Sequence, residues 1–393
     1  MASNNTLTSI LTQILARGMM CLRPEVLMTR LVNTDYSLEA KKKGQTIDIP
    51  LSSAQTAEDV APAATVTVPP GQESTTAQIA LDNWKHTDFA LSDLEVGRIR
   101  ADQDFIPLQM EEAFKALAKE INDSVFATYP GIYGYVGTAG ITPFGSGVEV
   151  SSATNLRKTL LEQYCPRENR RAVLDYDAEA AALNLAPFSD AEKRGSAGTK
   201  TTGNLGDIFG FSWYGEDGVP THTRGAIGAG AMTANGANAL AAATLSIAKA
   251  AGASWAAVEG DIISIAGDDQ TYVITTAVSV VHTNNTTVAI SPPLKVATTG
   301  GEAITTRDSH VVNLGFHRDA FALAMRSPDA GLKELLGQRI AGNVMESVTL
   351  QDPVSKLIMR LELIRGYKTT IWDLDCLWGT ALVSAERACR LAG

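Results

Sequence analysis

Three turn signals dominate one stretch of this chain: Gly260-Asp261, Asp268-Asp269 and Asn284-Asn285. Each leads into a short apolar, β-branched run, Ile262-Ile263-Ser264-Ile265, then Tyr272-Val273-Ile274, then Val288-Ala289-Ile290. Short strands punctuated this closely fit a small barrel or sandwich. Just before them, residues 225–257 are dominated by Ala and Gly. Alanine favours helix, but the neighbouring turns favour β, and the turns decide. Because an α/β pattern precedes this stretch and returns at Val311, residues 226–309 are predicted to be an inserted β-barrel domain.

The surroundings read differently. Asp104 is placed to cap a helix over 104–129 that tolerates Pro107 in its first turn and ends at Pro130-Gly131. Met110, Phe114, Leu117, Ile121 and Val125 form its apolar stripe, and Glu111 and Lys115 pair at i, i+4 on the other side. At 1.5 Å per residue this helix is about 35 Å long, the longest element in the sequence. A small α/β region follows: helix over 153–164, strand over 171–176, helix over 178–185 and strand over 209–214. Near the end, Leu357, Met359, Leu361 and Leu363 alternate with Arg360 and Glu362. After Gly366, Trp372, Leu374, Cys376 and Trp378 alternate with Asp373 and Asp375. The pattern predicts two strands of a hairpin, beside a strand over 87–96, with both aspartates on its solvent face.

At the amino end, Leu7, Ile10, Leu11, Ile14 and Leu15 recur at helical spacing, so their stripe must be buried on the chain's own domain or on a neighbour. The strand-like Thr46-Ile47-Asp48-Ile49, the Val66 and Val68 alternation and the run from Gln78 to Trp84 flank a polar Ser, Ala, Thr, Gln and Pro stretch. This reads as a protruding hairpin over 44–84. A lone hairpin is marginal in water and needs another surface to lean on. The candidate assembly residues are therefore Leu7, Ile10, Leu11, Ile14, Leu15, Thr46, Ile47, Ile49, Val66, Val68 and Trp84.

Composition removes several functions. Charged residues make up only 19% and hydrophobic ones 45%, so the chain folds rather than staying disordered. Acidic residues exceed basic ones, 43 to 33, which disfavours sequence-specific DNA binding through a broad basic face. Cys21, Cys165, Cys376 and Cys389 lack the spacing of a disulfide framework or a zinc cage and read as buried free thiols. No run of about 18 apolar residues is present, so no membrane span is expected, and the amino end lacks a signal-peptide pattern. The five histidines show no metal-site spacing, and no phosphate loop or nucleophile elbow occurs. His222, between two threonines, is the most site-like of them, though a loop-stabilising hydrogen bond is the commoner role. No catalytic, cofactor or metal residue is assigned, and an enzyme is not expected. A carboxylate pair of Asp373 and Asp375 stays open as the hydrolase alternative.

The order of these segments resembles the major capsid proteins of tailed bacteriophages, most of all the short-tailed-phage coat proteins that carry an insertion domain. The residues that carry this are Val219-Pro220-Thr221-His222-Thr223, Asn235-Gly236-Ala237-Asn238, Gly260-Asp261-Ile262-Ile263-Ser264-Ile265-Ala266-Gly267, and the string Asn313-Leu314-Gly315-Phe316-His317-Arg318-Asp319-Ala320-Phe321-Ala322-Leu323-Ala324. The strands in 360–367 and 375–391 are similar too. The resemblance implies an α+β capsid fold divided into an amino-terminal arm (1–43), an extended loop (44–84), a peripheral domain (85–140 and 351–393) with its spine helix, an axial domain (141–225 and 310–350) and the inserted β-barrel (226–309). It implies self-assembly through pentamers and hexamers into an icosahedral shell around double-stranded DNA. The partners it implies are further copies of the chain, scaffolding and portal proteins, a decoration protein as a further candidate, and the packaged double-stranded DNA through non-specific contact, in a virion assembled in the host cytoplasm. A cellular nanocompartment shell of the same fold and a β-domain adhesin built on 226–309 remain alternatives.

Overall fold

The computed structural model describes residues 15–16, 18, 27–36, 46–51, 75–94, 108–190, 202–250, 252, 254–282, 284–328, 344–352 and 356–393. The fold is mixed α+β, and the chain divides into two compact units. The first comprises Met1–Arg23, Thr34–Leu117 and Ala322–Val383, and the second Pro24–Asn33, Ala118–Phe321 and Ser384–Gly393.

The first unit is built on an antiparallel sheet whose longest strand is Thr369–Leu382. Ile358–Arg365 pairs with it across the turn at Gly366, with Leu361 opposite Leu374 and Leu363 opposite Trp372. Their side chains are buried, as the alternation predicts. Asn83–Ser92 lies along the same long strand, Phe89 opposite Trp372, and Val344–Gln351 lines the far side of Ile358–Arg365. A second, two-stranded sheet joins Thr46–Leu51 to Thr75–Ala80, with Ile47 opposite Ile79. Its apolar face packs with Leu81, Ala322 and Ala324. Gly379 makes this approach possible, because a Cβ there would run into the carbonyl oxygen of Ala80.

The long helix is described over Leu108–Phe126 and ends three residues before 129; its expected start at 104–107 lies outside the described residues. Phe114, Leu117, Ile121 and Val125 are buried, and Lys115 meets Glu111 at 3.3 Å, both as the period requires.

The second unit holds a seven-stranded mixed sheet in the order Gly134–Gly137, Ala388–Ala392, His310–His317, Arg170–Leu174, Phe211–Gly215 and Gly206–Ile208, with Thr221–His222 on the start of His310–His317. Helices Ser151–Glu162 and Tyr176–Leu183 bury Leu156, Leu160, Ala178 and Ala182 in the core beneath it. Where the α/β pattern breaks, a closed barrel stands: Thr244–Lys249, Thr286–Ser291, Thr271–Ile274, Ile262–Ile265, Ala303–Thr306 and Met232–Ala234, each antiparallel to the next. Its interior is Leu245, Ile247, Ile263, Tyr272, Val288 and Ile304 with their neighbours. No residue between Gly225 and Ala257 among those described is helical, so the turns did outweigh alanine's helix preference. The barrel leaves and rejoins the sheet at adjacent residues, since His222 pairs with His310 and Thr221 with Val311.

The strands are shared between the two units differently from the expected domain boundaries. Gly134–Gly137 and Ala388–Ala392, expected in the peripheral domain, pair with each other in the mixed sheet. Cys389 and Leu391 there bury against the α/β core. Phe321–Arg326 and Val344–Gln351, expected in the axial domain, belong to the sheet of the first unit. The run Phe321–Met325 is buried on both faces although its strand stands at the end of the sheet order, and Ala322 and Ala324 pack against the two-stranded sheet.

Candidate functional site: assembly residues and the root of the inserted barrel

Leu15 is fully buried, and Gly18 lies so close to the ring of Phe114 that any side chain there would collide with it. This end of the amino-terminal stripe is thus covered by its own chain. Leu7, Ile10, Leu11, Ile14, Val66 and Val68 lie outside the described residues. Ile47 and Ile49, at 1% and 4% exposure, are core residues of the first unit rather than surface ones. Thr46 on the opposite face is exposed. Trp84 is 65% exposed, and its indole N–H donates to Asp375 at 3.0 Å.

Of the aspartate pair, Asp373 stays partly exposed, but Asp375 does not face solvent. Asp375 is 3% exposed and accepts from Arg360 Nε at 2.9 Å, from Arg360 Nη2 and from Trp84. Arg360 also reaches Glu362 at 2.8 Å. Asp373 meets His86 at 3.1 Å; burial raises its pKa, against the pull of that histidine. Asp375 has its oxygens committed to a guanidinium and an indole, the bonding of a structural ion pair rather than of a hydrolytic carboxylate.

The densest polar cluster lies where the barrel is rooted. His222 Nε2 contacts Asp261 Oδ1 at 2.9 Å, and its Nδ1 contacts the Tyr129 hydroxyl at 3.2 Å. A carboxylate accepts only, so Nε2 carries a proton and donates it to Asp261. Asp261, with no exposure, also accepts from Val258 N at 3.0 Å and from Gly225 N at 3.2 Å. Arg390, 0% exposed, donates to the carbonyls of Gly260 (2.9 Å), Pro130 (3.0 Å) and Tyr129 (3.1 Å), and its guanidinium lies 5.1 Å from the Tyr129 ring centre. Burial pushes its pKa down to about 10. His310 donates from Nδ1 to Asp308 O at 2.8 Å, and burial pushes it down to about 4, so it is neutral at pH 7. Strand, turn and barrel are tied here by groups bonded to one another and to backbone carbonyls. The cluster is a lock.

His222 thus makes the stabilising contact expected of it, but Asp261 and Arg390 escaped the sequence reading. Asp261 looked like an ordinary turn residue; an arginine within the apolar strand Ala388–Ala392 was the available signal for the other. A second polar join holds the long helix. Asn122 Oδ1 accepts from Met28 N at 3.0 Å while its Nδ2 donates to Glu216 at 2.9 Å. Burial, reinforced by Asp217, pushes Glu216 up to about 7. Within the barrel, Lys249 is buried and donates to the carbonyls of Gly228, Ala229 and Gly230.

Cys165, Cys376 and Cys389 are buried free thiols, and burial raises the pKa of each. Among the described residues, no group of three or more His, Cys, Asp or Glu could hold a metal ion, and no helix is long and apolar enough to cross a membrane.

No known protein family's sequence pattern matches the chain, and neither does any curated protein. Solved structures do. A chain from Mycobacterium phage Che8 is similar at 11% identity and a TM-score of 0.48, covering 93% of this chain and 90% of that one. The capsid of cyanophage P-SCSP1u follows at 11% identity and 0.44, covering 92% and 85%. The virus-like particle from Pyrococcus furiosus has 7% identity and 0.42, covering 95% and 96%. The likeness is one of fold, and a loose one.

Proposed function

We propose that this chain is a coat subunit that assembles with copies of itself into a closed shell, through pentamers and hexamers, around double-stranded DNA. The observation that carries the reading is the order of elements. A two-stranded arm, a long strand, a 19-residue helix, a mixed sheet interrupted by a barrel, and a closing hairpin follow one another as the resemblance to tailed-phage coat proteins implies. The polar clusters support a structural role as well, since His222, Asp261 and Arg390 at the barrel root and Arg360 and Asp375 on the hairpin are buried and bonded within the fold. An arm whose apolar face is already seated, with its polar face outward, adds contacts to a neighbour by many simultaneous weak interactions. In this reading the partners are further copies of the chain, a scaffolding protein and a portal, in a virion assembled in the host cytoplasm.

Negative-stain imaging with light scattering of the protein, expressed alone and with its neighbouring genes, tests this. Closed particles or capsomer rings are expected. A stable monomer under both conditions refutes the proposal. Particles that carry protein cargo in place of nucleic acid keep the shell and replace its contents.

A further inference from the structure

The root of the barrel holds two buried polar atoms that its own bonds leave over. Arg390 lies opposite Leu314 on one neighbouring strand and beside Tyr135 on the other. Alternation puts Val312 and His310 on the same sheet face as Leu314, so Arg390, Tyr135 and His310 share that face. Tyr135 links them, its ring 5.1 Å from that of His310 and nearly perpendicular to it. His222, opposite His310, closes the group with ring centres 5.5 Å apart. Arg390 uses both terminal nitrogens on the carbonyls of Gly260, Tyr129 and Pro130, and His310 uses Nδ1 on Asp308 O. Arg390 Nε and His310 Nε2 are left, each without a hydrogen-bond partner among the described residues, in side chains that are 0% and 2% exposed.

The two atoms are complementary. An arginine Nε always carries hydrogen, so it donates. His310 is neutral at pH 7, because burial pushes its pKa down to about 4 and the nearby charge of Arg390 adds to the fall. With its one hydrogen on Nδ1, its Nε2 is a bare lone pair. A group between them must therefore accept from one and donate to the other. An anion accepts only and would face that lone pair; a cation would suit the lone pair but meet the guanidinium. Water does both, and buried waters bridge polar groups that the protein leaves unpaired. We infer that one ordered water molecule bridges Arg390 Nε and His310 Nε2 inside the barrel root. It ties the strand Ala388–Ala392 to the residue at which the chain returns from the barrel, alongside the direct bond of His222 to Asp261. The inference needs nothing from the shell reading.

Crystals of the full-length protein, with and without a bromide soak, test this at a resolution that shows ordered water. A density peak is expected within about 3.2 Å of both atoms, with no anomalous signal from bromide. The variant His310→Asn keeps a side-chain donor for Asp308 O and removes the Nε2 acceptor. In its crystals the peak should be lost, and in solution water relaxation dispersion should count one long-lived water fewer than in the native protein. The proposal fails if the native map has no peak there, if Arg390 Nε and His310 Nε2 touch directly, or if bromide takes the position. It fails as well if the variant keeps both the peak and the water count, since Arg390 then holds the water without the histidine. Should the variant not fold, the native map alone decides.

Discussion

Glu216 couples the stability of the second unit to pH. It is 9% exposed, accepts from Asn122 at 2.9 Å and stands beside Asp217, and its pKa rises from 4.5 to about 7 chiefly because burial disfavours its charge. Below pH 4.5 the side chain is protonated in both the folded and unfolded chains. Between 4.5 and 7 the unfolded chain ionises while the folded one keeps its proton, so stability falls as pH rises through this window. At 1.36 kcal/mol per pH unit the fall amounts to about 3 kcal/mol and is complete above pH 7. Glu216→Gln keeps the carbonyl that Asn122 bonds and removes the titration. Urea unfolding of unassembled native and variant protein at intervals from pH 4 to 8 measures both curves. Their difference should shift in the variant's favour by about 3 kcal/mol between pH 4.5 and 7 and then level. Parallel curves across that range would refute the reasoning, because every other titrating group is common to the two proteins. Loss of the variant's stability at all pH values would show instead that the Asn122 join needs the carboxyl itself.

Two further substitutions probe the buried charges. Asp261→Ala leaves the N–H groups of Gly225, Val258 and His222 without their acceptor inside the fold, and should cost about 3 to 5 kcal/mol in urea unfolding; a loss under about 1 kcal/mol would mean that the barrel root is held by packing alone. Arg360→Met strands Asp375 and Glu362 beside a hydrocarbon chain and should cost a similar amount. Adding Asp375→Leu to it should recover part of the loss, and no recovery would argue against the pairing.

What could be read in advance was whatever has a local period. The barrel strands follow their turn residues, the long helix follows the spacing of Phe114, Leu117, Ile121 and Val125, and the hairpin follows its alternation about Gly366. What could not be read depends on which distant strand lies alongside. Ala388–Ala392 returns to His310–His317 across more than seventy residues, and His310–His317 in turn lies beside Arg170–Leu174 across more than a hundred and thirty. Asp375 shows why this matters for a site. Alternation placed it correctly opposite the apolar face, yet the register that sets it against Arg360, and so buries it as a charge pair, is not visible in either strand alone. Asp261 was hidden differently, because a turn aspartate and a buried acceptor of three hydrogen-bond donors are the same residue in sequence.

The pairing of His222 with His310 has a consequence for how such a chain can be altered. Everything between them leaves and returns through two residues that sit side by side, about 5 Å apart as antiparallel neighbours do. A short turn, or a foreign domain whose ends lie close together, can therefore replace the barrel without stretching or re-registering the sheet. The losses are the bonds that His222 and Arg390 make across the root, the bond from Thr271 to the carbonyl of Tyr133, and the small apolar cluster of Tyr133 with Ile262 and Val273. The rest of the chain becomes a carrier with one socket, in which cargo of another origin can be fitted on every copy.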